Sequence, residues 1–170
     1  MGIGASSPKK NFGKAGSERQ LDESLVIRLL DKDDYSKGYL TLLSQLTTVG
    51  EYSKEQFQQR WEEINARSDT YRIYVIEDTA KNRIIGTATL LVELKFIRGC
   101  NSCGHIEDVV VDSSYRGKQL GKRLIDRLRE DARNMKCYKI ILDCSESNQA
   151  FYEKCGLQRK EIQMVEYLSA

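Results

Sequence analysis

The chain has 170 residues, of which 40% are hydrophobic and 31% are charged, and its formal net charge is +2. The first 20 residues hold four basic residues and one acidic residue, so the remainder of the chain is close to neutral. A chain of this length and charge suits one globular domain. It argues against a nucleic-acid binder, which needs a clustered basic surface.

Nothing in the sequence predicts a membrane span or an export signal. No apolar run reaches the length of a transmembrane helix, and the N-terminus lacks the apolar core of a secretory signal. Five cysteines without such a signal predict reduced thiols in a cytoplasmic protein. Cys100, Cys103 and His105 offer three metal ligands, but no second ligand pair follows, so we predict no metal.

The N-terminal segment differs in composition from the rest. Residues 1–22 are rich in Gly, Ser and Lys and have little to bury, which predicts a disordered tail before a domain over residues 23–170. The opening MGIGAS fits the N-myristoylation pattern at Gly2, and nearby lysines would add attraction to an anionic membrane. A plain flexible tail fits the same residues. We therefore expect membrane association only if Gly2 is acylated.

Hydrophobic periodicity predicts the first elements of the domain. Leu25–Leu30 has the composition of a strand, and apolar residues from Tyr35 to Leu46 recur at helical spacing. Ser53–Gln56 forms a capping box that begins a second helix. The apolar stripe of that helix, which we assign to the core, consists of Phe57, Trp61 and Ile64.

The second half of the chain predicts a mixed sheet. Tyr71–Glu77 and Ile84–Glu93 have the pattern of a hairpin, and Gly104–Val111 that of a further strand. An amphipathic helix follows from Leu120 to Met135. The remaining predicted elements are a strand at Lys139–Cys144, a short helix at Asn148–Cys155 with Asn148 as its N-cap, and a last strand at Gln158–Tyr167. This order predicts an α/β protein, a mixed sheet with helices on both faces.

The junction between the strand at Gly104–Val111 and the following helix carries the clearest functional signal. A basic, glycine-bearing loop, Arg116–Lys122, opens the helix. Such a junction points several backbone N–H groups and a helix N-terminus at one place, which suits a phosphate group. The glycine spacing fits neither the dinucleotide fingerprint nor the nucleotide-triphosphate loop.

The loop resembles motif A, R/Q-x-x-G-x-G/A, of the GCN5-related N-acetyltransferase (GNAT) superfamily, although Gln119 stands where the motif has its first glycine. Further blocks resemble, in order, the branch of the superfamily that acetylates an amino-sugar phosphate. They are Leu46–Gly50, Lys95–Arg98, Cys103–Val111, Arg116–Lys122, Cys137–Cys144 and Phe151–Gly156. The similarity covers Leu25 to about Tyr167 and implies the GNAT acyl-CoA N-acyltransferase fold.

The resemblance implies transfer of an acetyl group from acetyl-CoA to the 2-amino group of glucosamine 6-phosphate, by a homodimer, on the route to UDP-N-acetylglucosamine. By matching positions, the residues implied to hold the acetyl-CoA are Val109, Val110, Val111, Arg116, Gly117, Lys118, Gln119, Leu120, Gly121, Asn148, Tyr152 and Lys154. Those implied to line the sugar phosphate are Thr47, Lys95, Phe96, Ile97, Arg98, Glu107, Asp108, Val109, Tyr138, Lys139 and Asp143.

One departure concerns the phosphate. Some relatives end with an arginine that reaches the phosphate across the dimer, and here Glu166 and Tyr167 stand in that region. We therefore expect phosphate binding to depend on Lys95, Arg98 and Lys139, because several cations can give charge-assisted hydrogen bonds to one dianion.

Three residues are the candidates for catalysis: Tyr152, Asp143 and Glu107. A tyrosine hydroxyl, with a pKa near about 10, can protonate a thiolate whose thiol has a pKa of roughly 8.5; a buried structural tyrosine is the alternative. Adjacent strand residues point to opposite faces, so we expect one of Glu107 and Asp108 to orient the sugar and the other to pack inward. Asp143 lies in an apolar strand and needs a partner there, either the substrate amine or a backbone N–H.

Two other functions stay open. One is a GNAT enzyme for another amine, such as a polyamine, which would need acidic walls; Lys95 and Arg98 oppose it. The other is a non-catalytic acyl-CoA sensor, which would keep the cofactor cradle without acceptor groups. The presence of Glu107, Asp143, Lys139 and Tyr152 at the matching positions argues against the sensor.

Overall fold

The computed structural model describes residues 22–168, which are built on one five-stranded sheet in the order β1-β2-β3-β4-β5. The strands are β1 (Leu25–Leu29), β2 (Tyr71–Asp78), β3 (Arg83–Leu94), β4 (Ser102–Val111) and β5 (Cys137–Ile141). Neighbours pair antiparallel from β1 to β4, and β4 pairs parallel with β5. The predicted mixed sheet and the β2–β3 hairpin are confirmed. The predictions of a disordered tail and of a modified Gly2 lie outside the described residues.

Within the described residues, five helices and two short 3-10 turns lie around the sheet. The helices are α1 (Tyr39–Leu43), α2 (Lys54–Asn65), α3 (Ile97–Cys100), α4 (Leu120–Asn134) and α5 (Glu146–Lys154), and the turns are Lys32–Lys37 and Ser113–Tyr115. The capping box of α2 is present, with Ser53 and Gln56 exchanging side-chain and backbone hydrogen bonds. Within residues 22–168, none of the helices has the length and apolar character needed to cross a bilayer.

The sheet buries one apolar cluster on each face. On one face, Ile76, Leu90 and Ile106 pack with the apolar stripe of α4. On the other face, Val75, Ile84 and Val110 pack with the rings and leucines of α1 and α2, which include Tyr39, Leu42 and Phe57. Helices therefore cover both faces, as predicted, and Phe57 belongs to the core.

Several predicted boundaries are wrong. The helical pattern from Tyr35 to Leu46 is broken at Gly38, whose φ of 78° ends the first 3-10 turn before α1 begins. Strand β5 ends at Ile141 rather than Cys144. Helix α5 begins at Glu146 with Ser145 at its N-cap, so Asn148 lies inside its first turn. Serine and asparagine are both common N-caps, and the sequence does not distinguish them.

The predicted last strand, Gln158–Tyr167, does not form in the described chain. Residues 157–168 follow α5 without pairing to the sheet. Apart from the half-buried Leu157, their apolar side chains are exposed, with Ile162 at 83%, Met164 at 88% and Tyr167 at 92%. A segment forms a strand only when a neighbouring strand pairs with it, and within residues 22–168 this segment has none.

A charged cluster joins β1, β2 and the first 3-10 turn. The Arg28 guanidinium lies 2.6 Å from both Asp34 and Glu77, and the Lys37 ammonium lies 2.7 Å from Glu77. Asp34 is fully buried and also accepts the backbone N–H of Asp31. Although burial acts in the opposite direction, Lys37 and Arg28 lower the pKa of Glu77. The opposite charges in this cluster therefore neutralise one another.

We expect Asp34→Ala to lower the free energy of unfolding by about 3 kcal/mol or more, because it leaves the Arg28 charge incompletely paired in a buried place. Urea denaturation measures the change. The matched control is Glu63→Ala, which removes an exposed pair with Arg60 (3.1 Å) and should cost less than about 1 kcal/mol. Equal losses in the two variants would contradict this account of the cluster.

Candidate active site

The parallel strands β4 and β5 separate part of the way along β4. Their pairing runs from Ser102 with Cys137 to His105 with Ile141, and β5 ends there. Strand β4 continues to Val111, paired on its other side with β3. From Ile106 to Val111 the β5 side of β4 is therefore a free edge. A free edge offers backbone donors and acceptors to an extended ligand.

A β-bulge distorts β4 at this free edge. Thr89 pairs with Glu107 and Thr87 with Val110, so β4 carries one extra residue, and Asp108 has a φ of 51°. The bulge breaks the alternation on which the sequence argument relied. Glu107 and Asp108 are both exposed, and the expectation that one of them packs inward is wrong. Bulges of this kind often re-aim side chains next to active sites.

Two of the catalytic candidates are carboxylates that lie near one another. Partial desolvation, followed by the charges of Asp143 and Asp108, raises the pKa of Glu107. Asp143 is exposed, two residues beyond the end of β5, and its Oδ2 accepts a hydrogen bond from Gln163 Nε2 at 2.6 Å. Asp143 is therefore not the costly carboxylate of an apolar strand that the sequence predicted. Its position at the opening between the strands comes from the early end of β5.

Tyr152 lies on α5 at the same opening. Its ring packs edge-on against Phe151, with 4.9 Å between the ring centroids. Burial first, and then the neighbouring Cys144, Cys155 and Asp143, raise the pKa of Tyr152 to about 12. Among residues 22–168, its hydroxyl has no hydrogen-bond partner. The phenol therefore stays protonated near neutral pH and is available to a ligand.

The loop after β4 is fixed by the carboxylate of Asp112. This buried side chain accepts hydrogen bonds from the Ser114 N–H at 2.9 Å, Arg83 Nη2 at 2.6 Å and Gln45 Nε2 at 3.1 Å. Gln45 Oε1 in turn accepts the Ser113 N–H at 3.0 Å. The hydrogen bonds from Ser114 lower the pKa of Asp112 against the opposing effect of burial. Sequence reasoning missed Asp112, Gln45 and Arg83, because they act through contacts distant in the chain.

The same loop presents its backbone at the start of α4. Gly117 and Gln119 have φ values of 81° and 61°, both in the left-handed region. Gln119 thus adopts the conformation for which glycine is favoured, and it gives α4 no side-chain cap. The first turn of α4 also holds no acidic residue, while Arg116 and Lys118 are exposed beside it. Uncapped N–H groups with adjacent cations suit an anionic ligand.

Gly121 is required here for helix packing. A Cβ atom at Gly121 would lie 3.0 Å from Cζ of Phe151 and 3.8 Å from Cγ2 of Val111. The missing side chain therefore lets α5 approach α4. Through Phe151 it also sets the position of the neighbouring Tyr152.

Of the three cations predicted to bind the phosphate of the acceptor, only Lys95 and Lys139 lie near a common point. The Lys95 ammonium lies 2.5 Å from Glu93 Oε1, a partner that sequence reasoning missed. Burial raises the pKa of the Cys103 thiol, whereas the charges of Lys139 and Lys95 lower it, so both lysines lie near this sulfur. Arg98 has a φ of 58°, and its guanidinium forms no ion pair with another residue of the described chain. Of the remaining predicted site residues, six are exposed: Thr47, Phe96, Ile97, Tyr138, Asn148 and Lys154. Val109 and Val111 are half-buried, whereas Val110 and Leu120 are buried in the core, so these two can serve a ligand only through their backbone.

Comparison with known proteins agrees with this geometry. A sequence profile described as the acetyltransferase (GNAT) family matches residues 34–157. A Dictyostelium discoideum protein named glucosamine 6-phosphate N-acetyltransferase 1 is 51% identical over 148 residues, which are 87% of this chain and 94% of the relative.

Solved structures show the same fold. The crystal structure of glucosamine-6-phosphate N-acetyltransferase from Arabidopsis thaliana superposes with a TM-score of 0.84 at 48% identity and covers 86% of this chain and 100% of that one. A predicted acetyltransferase with acetyl-CoA from Clostridium acetobutylicum shares the fold alone, with a TM-score of 0.66 at 18% identity over 84% of this chain and 96% of that one. The chain belongs to the acetyltransferase (GNAT) family.

Proposed function

We propose that this protein transfers the acetyl group of acetyl-CoA to the 2-amino group of glucosamine 6-phosphate, giving N-acetylglucosamine 6-phosphate and CoA. The observation that carries the proposal is the divergence of β4 from β5 beside the uncapped start of α4. The names of the relatives from Dictyostelium and Arabidopsis support the choice of acceptor. In cells, this step would supply the acetylated sugar phosphate for UDP-N-acetylglucosamine.

The donor would bind in two parts. The pantetheine arm would lie along the free edge of β4 at Val109–Val111. The diphosphate would accept hydrogen bonds from backbone N–H groups of the Arg116–Gly121 loop. Asn148, Tyr152 and Lys154 on α5 would border the arm. This arrangement brings the thioester to the opening where the carboxylates and Tyr152 meet.

The reaction would be a direct transfer. The amine nitrogen attacks the thioester carbon, the C–S bond breaks, and the amine loses a proton to Glu107 or Asp143, either directly or through water. A backbone N–H of the bulged segment would bind the developing oxyanion, a contribution commonly worth about 3 kcal/mol. The pKa of Tyr152, about 12, favours a hydrogen bond to the departing thiolate over complete proton transfer, because an ordinary thiol is the stronger acid.

The acceptor phosphate would be held by Lys95 and Lys139 with Arg98. A second candidate acceptor, a polycationic amine, is favoured by one observation. Three carboxylates, those of Glu107, Asp108 and Asp143, lie near one another at the opening, and Glu93 adds a fourth on β3. The phosphosugar remains the proposal because Glu93 is already neutralised by Lys95.

The two candidates differ in an assay of free-thiol release from acetyl-CoA. We expect kcat/KM for glucosamine 6-phosphate to exceed that for glucosamine by about a hundredfold, since two charge-assisted contacts to the phosphate are worth about 3 kcal/mol. Lys139→Met should reduce this preference, and Lys54→Met on α2 should not. Faster turnover of spermidine than of the phosphosugar would contradict the proposal.

Tyr152→Phe should lower kcat by about a hundredfold while changing KM for acetyl-CoA by less than about threefold, because the hydroxyl contacts the leaving group only as the C–S bond breaks. Steady-state kinetics measure both constants. Tyr52→Phe, at an exposed tyrosine before α2, is the matched control and should leave both unchanged. A loss of acetyl-CoA affinity with unchanged kcat would assign the hydroxyl to binding.

We also propose that two copies of the chain associate. Leu94 and Phe96, 83% and 97% exposed, lie at the end of β3 and before α3, and residues 162–168 carry further exposed apolar side chains. A second copy is the partner that the resemblance implies for these surfaces. A large apolar patch commonly marks an interface, and we propose that these side chains form one when a second copy binds.

Sedimentation equilibrium tests this association. We expect a dimer at micromolar concentration and a dissociation constant raised at least about tenfold by Phe96→Ser, since loss of one buried aromatic side chain costs about 1.4 kcal/mol or more. Tyr52→Ser, at another exposed aromatic residue, is the control. A monomeric wild-type protein would contradict the proposal.

Cytoplasmic localisation is part of the same proposal, with membrane contact conditional on acylation of Gly2. Mass spectrometry of the native N-terminus distinguishes the acylated and free forms.

A further inference from the structure

The face of the sheet opposite α4 carries a group of potential metal ligands. Glu93 on β3 pairs directly with Cys103 on β4, and His105 follows two residues later on the same side of the strand. Gly104, between them, points the other way, since a Cβ atom there would lie 3.6 Å from Ala132 of α4. The strand register therefore places three different ligand types on one face.

The three side chains also converge. His105 Nε2 lies 2.9 Å from Glu93 Oε2, and the sulfur, ring nitrogen and carboxylate oxygen all lie within 4.8 Å of one another. Between residues 22 and 168, no other group of three or more histidine, cysteine or acidic side chains meets this criterion.

We propose that Glu93, Cys103 and His105 form a reversible binding site for zinc or a similar divalent transition metal. Thiolate, imidazole and carboxylate are the ligands that zinc takes in proteins, at about 2.0–2.3 Å. Ligands at the corners of such a tetrahedron lie roughly 3.3–3.8 Å apart. The Cys103 sulfur must therefore approach the other two ligand atoms by about 1 Å at most, and His105 Nε2 and Glu93 Oε2, which are 2.9 Å apart, must separate slightly. Three protein ligands leave a fourth position for water, which is typical of open rather than structural sites.

The surrounding cations make the binding reversible. Lys95 contacts Glu93 through Oε1, which leaves Oε2, the oxygen facing His105, for the metal. Lys95 and Lys139 also lie near the buried Cys103 sulfur, and their flexible side chains are the groups that must move to admit an ion. Their positive charge opposes the ion and weakens its binding.

Occupancy of the site would affect catalysis. Lys95 and Lys139 are the proposed phosphate ligands, and Glu107 follows His105 on the same strand. A bound ion would therefore disturb the residues proposed to bind the sugar phosphate and would slow acetyl transfer. This consequence rests on the proposed function, whereas metal binding does not.

Cobalt(II) titration of the full chain tests the site without any substrate. We expect a thiolate-to-cobalt charge-transfer absorption that zinc abolishes by competition. Cys103→Ser should remove it, and His105→Gln and Glu93→Gln should each weaken binding at least about tenfold, the loss that even an outer-shell partner causes. Cys137→Ser is the matched control, because that half-buried thiol packs with the cluster beneath α4 and should leave the absorption unchanged.

Absorption that persists in Cys103→Ser, or none in the wild-type protein, would overturn the site. Circular dichroism verifies that each variant is folded, and the half-buried His105→Gln provides the test if the buried Cys103 variant does not fold. In the thiol-release assay, zinc should slow the wild-type enzyme as the site fills and should affect His105→Gln at least about tenfold less. Unchanged turnover of the filled enzyme would overturn the inhibitory role alone.

Discussion

The parallel pairing of β4 with β5 ends at His105 and Ile141, and the proposed chemistry depends on this early end. Strand β5 pairs with β4 only as far as His105, so Ile106–Val111, which is more than half of β4, retains unpaired backbone groups on one side. Unpaired edge groups in a folded domain need a partner, and an amide-bearing arm in an extended conformation can supply one. The same divergence leaves space for Asp143 and Tyr152 to approach Glu107. Binding of the donor and assembly of the reactive groups therefore have one structural cause.

A second constraint aligns this edge with the phosphate-binding loop. Asp112 terminates β4 and is bonded to Arg83 on β3, to Gln45 after α1 and to the loop itself. Because these partners come from separate elements, the loop is fixed relative to the sheet rather than only to α4. At the other end of the opening, close packing of Gly121 on Phe151 fixes α5 relative to α4. The resulting site is preorganised by buried contacts, and its exposed residues do not have to fix their own positions.

The fold was largely predictable because most elements carry strong local patterns. The stripe of α4, the capping box at Ser53 and the β2–β3 hairpin each follow from residues close in sequence. The errors arise where distant contacts decide. Gln158–Tyr167 was predicted as a strand, but no strand among the described residues pairs with it. The bulge at Asp108 breaks the alternation that would have placed Glu107 and Asp108 on opposite faces, and Glu93 meets His105 only through the β3–β4 register. The resemblance named the site residues, but it gave no account of Asp112, Gln45 or Arg83.

Hydrogen–deuterium exchange of the backbone amides, with and without CoA, tests the account most directly. If the free edge of β4 holds the pantetheine arm and the start of α4 holds the diphosphate, CoA will slow exchange at residues 109–111 and 116–121 together. Amides of β1 and α2, which lie away from the opening, will exchange at unchanged rates. Protection confined to other parts of the chain, or none at saturating CoA, would contradict the central claim.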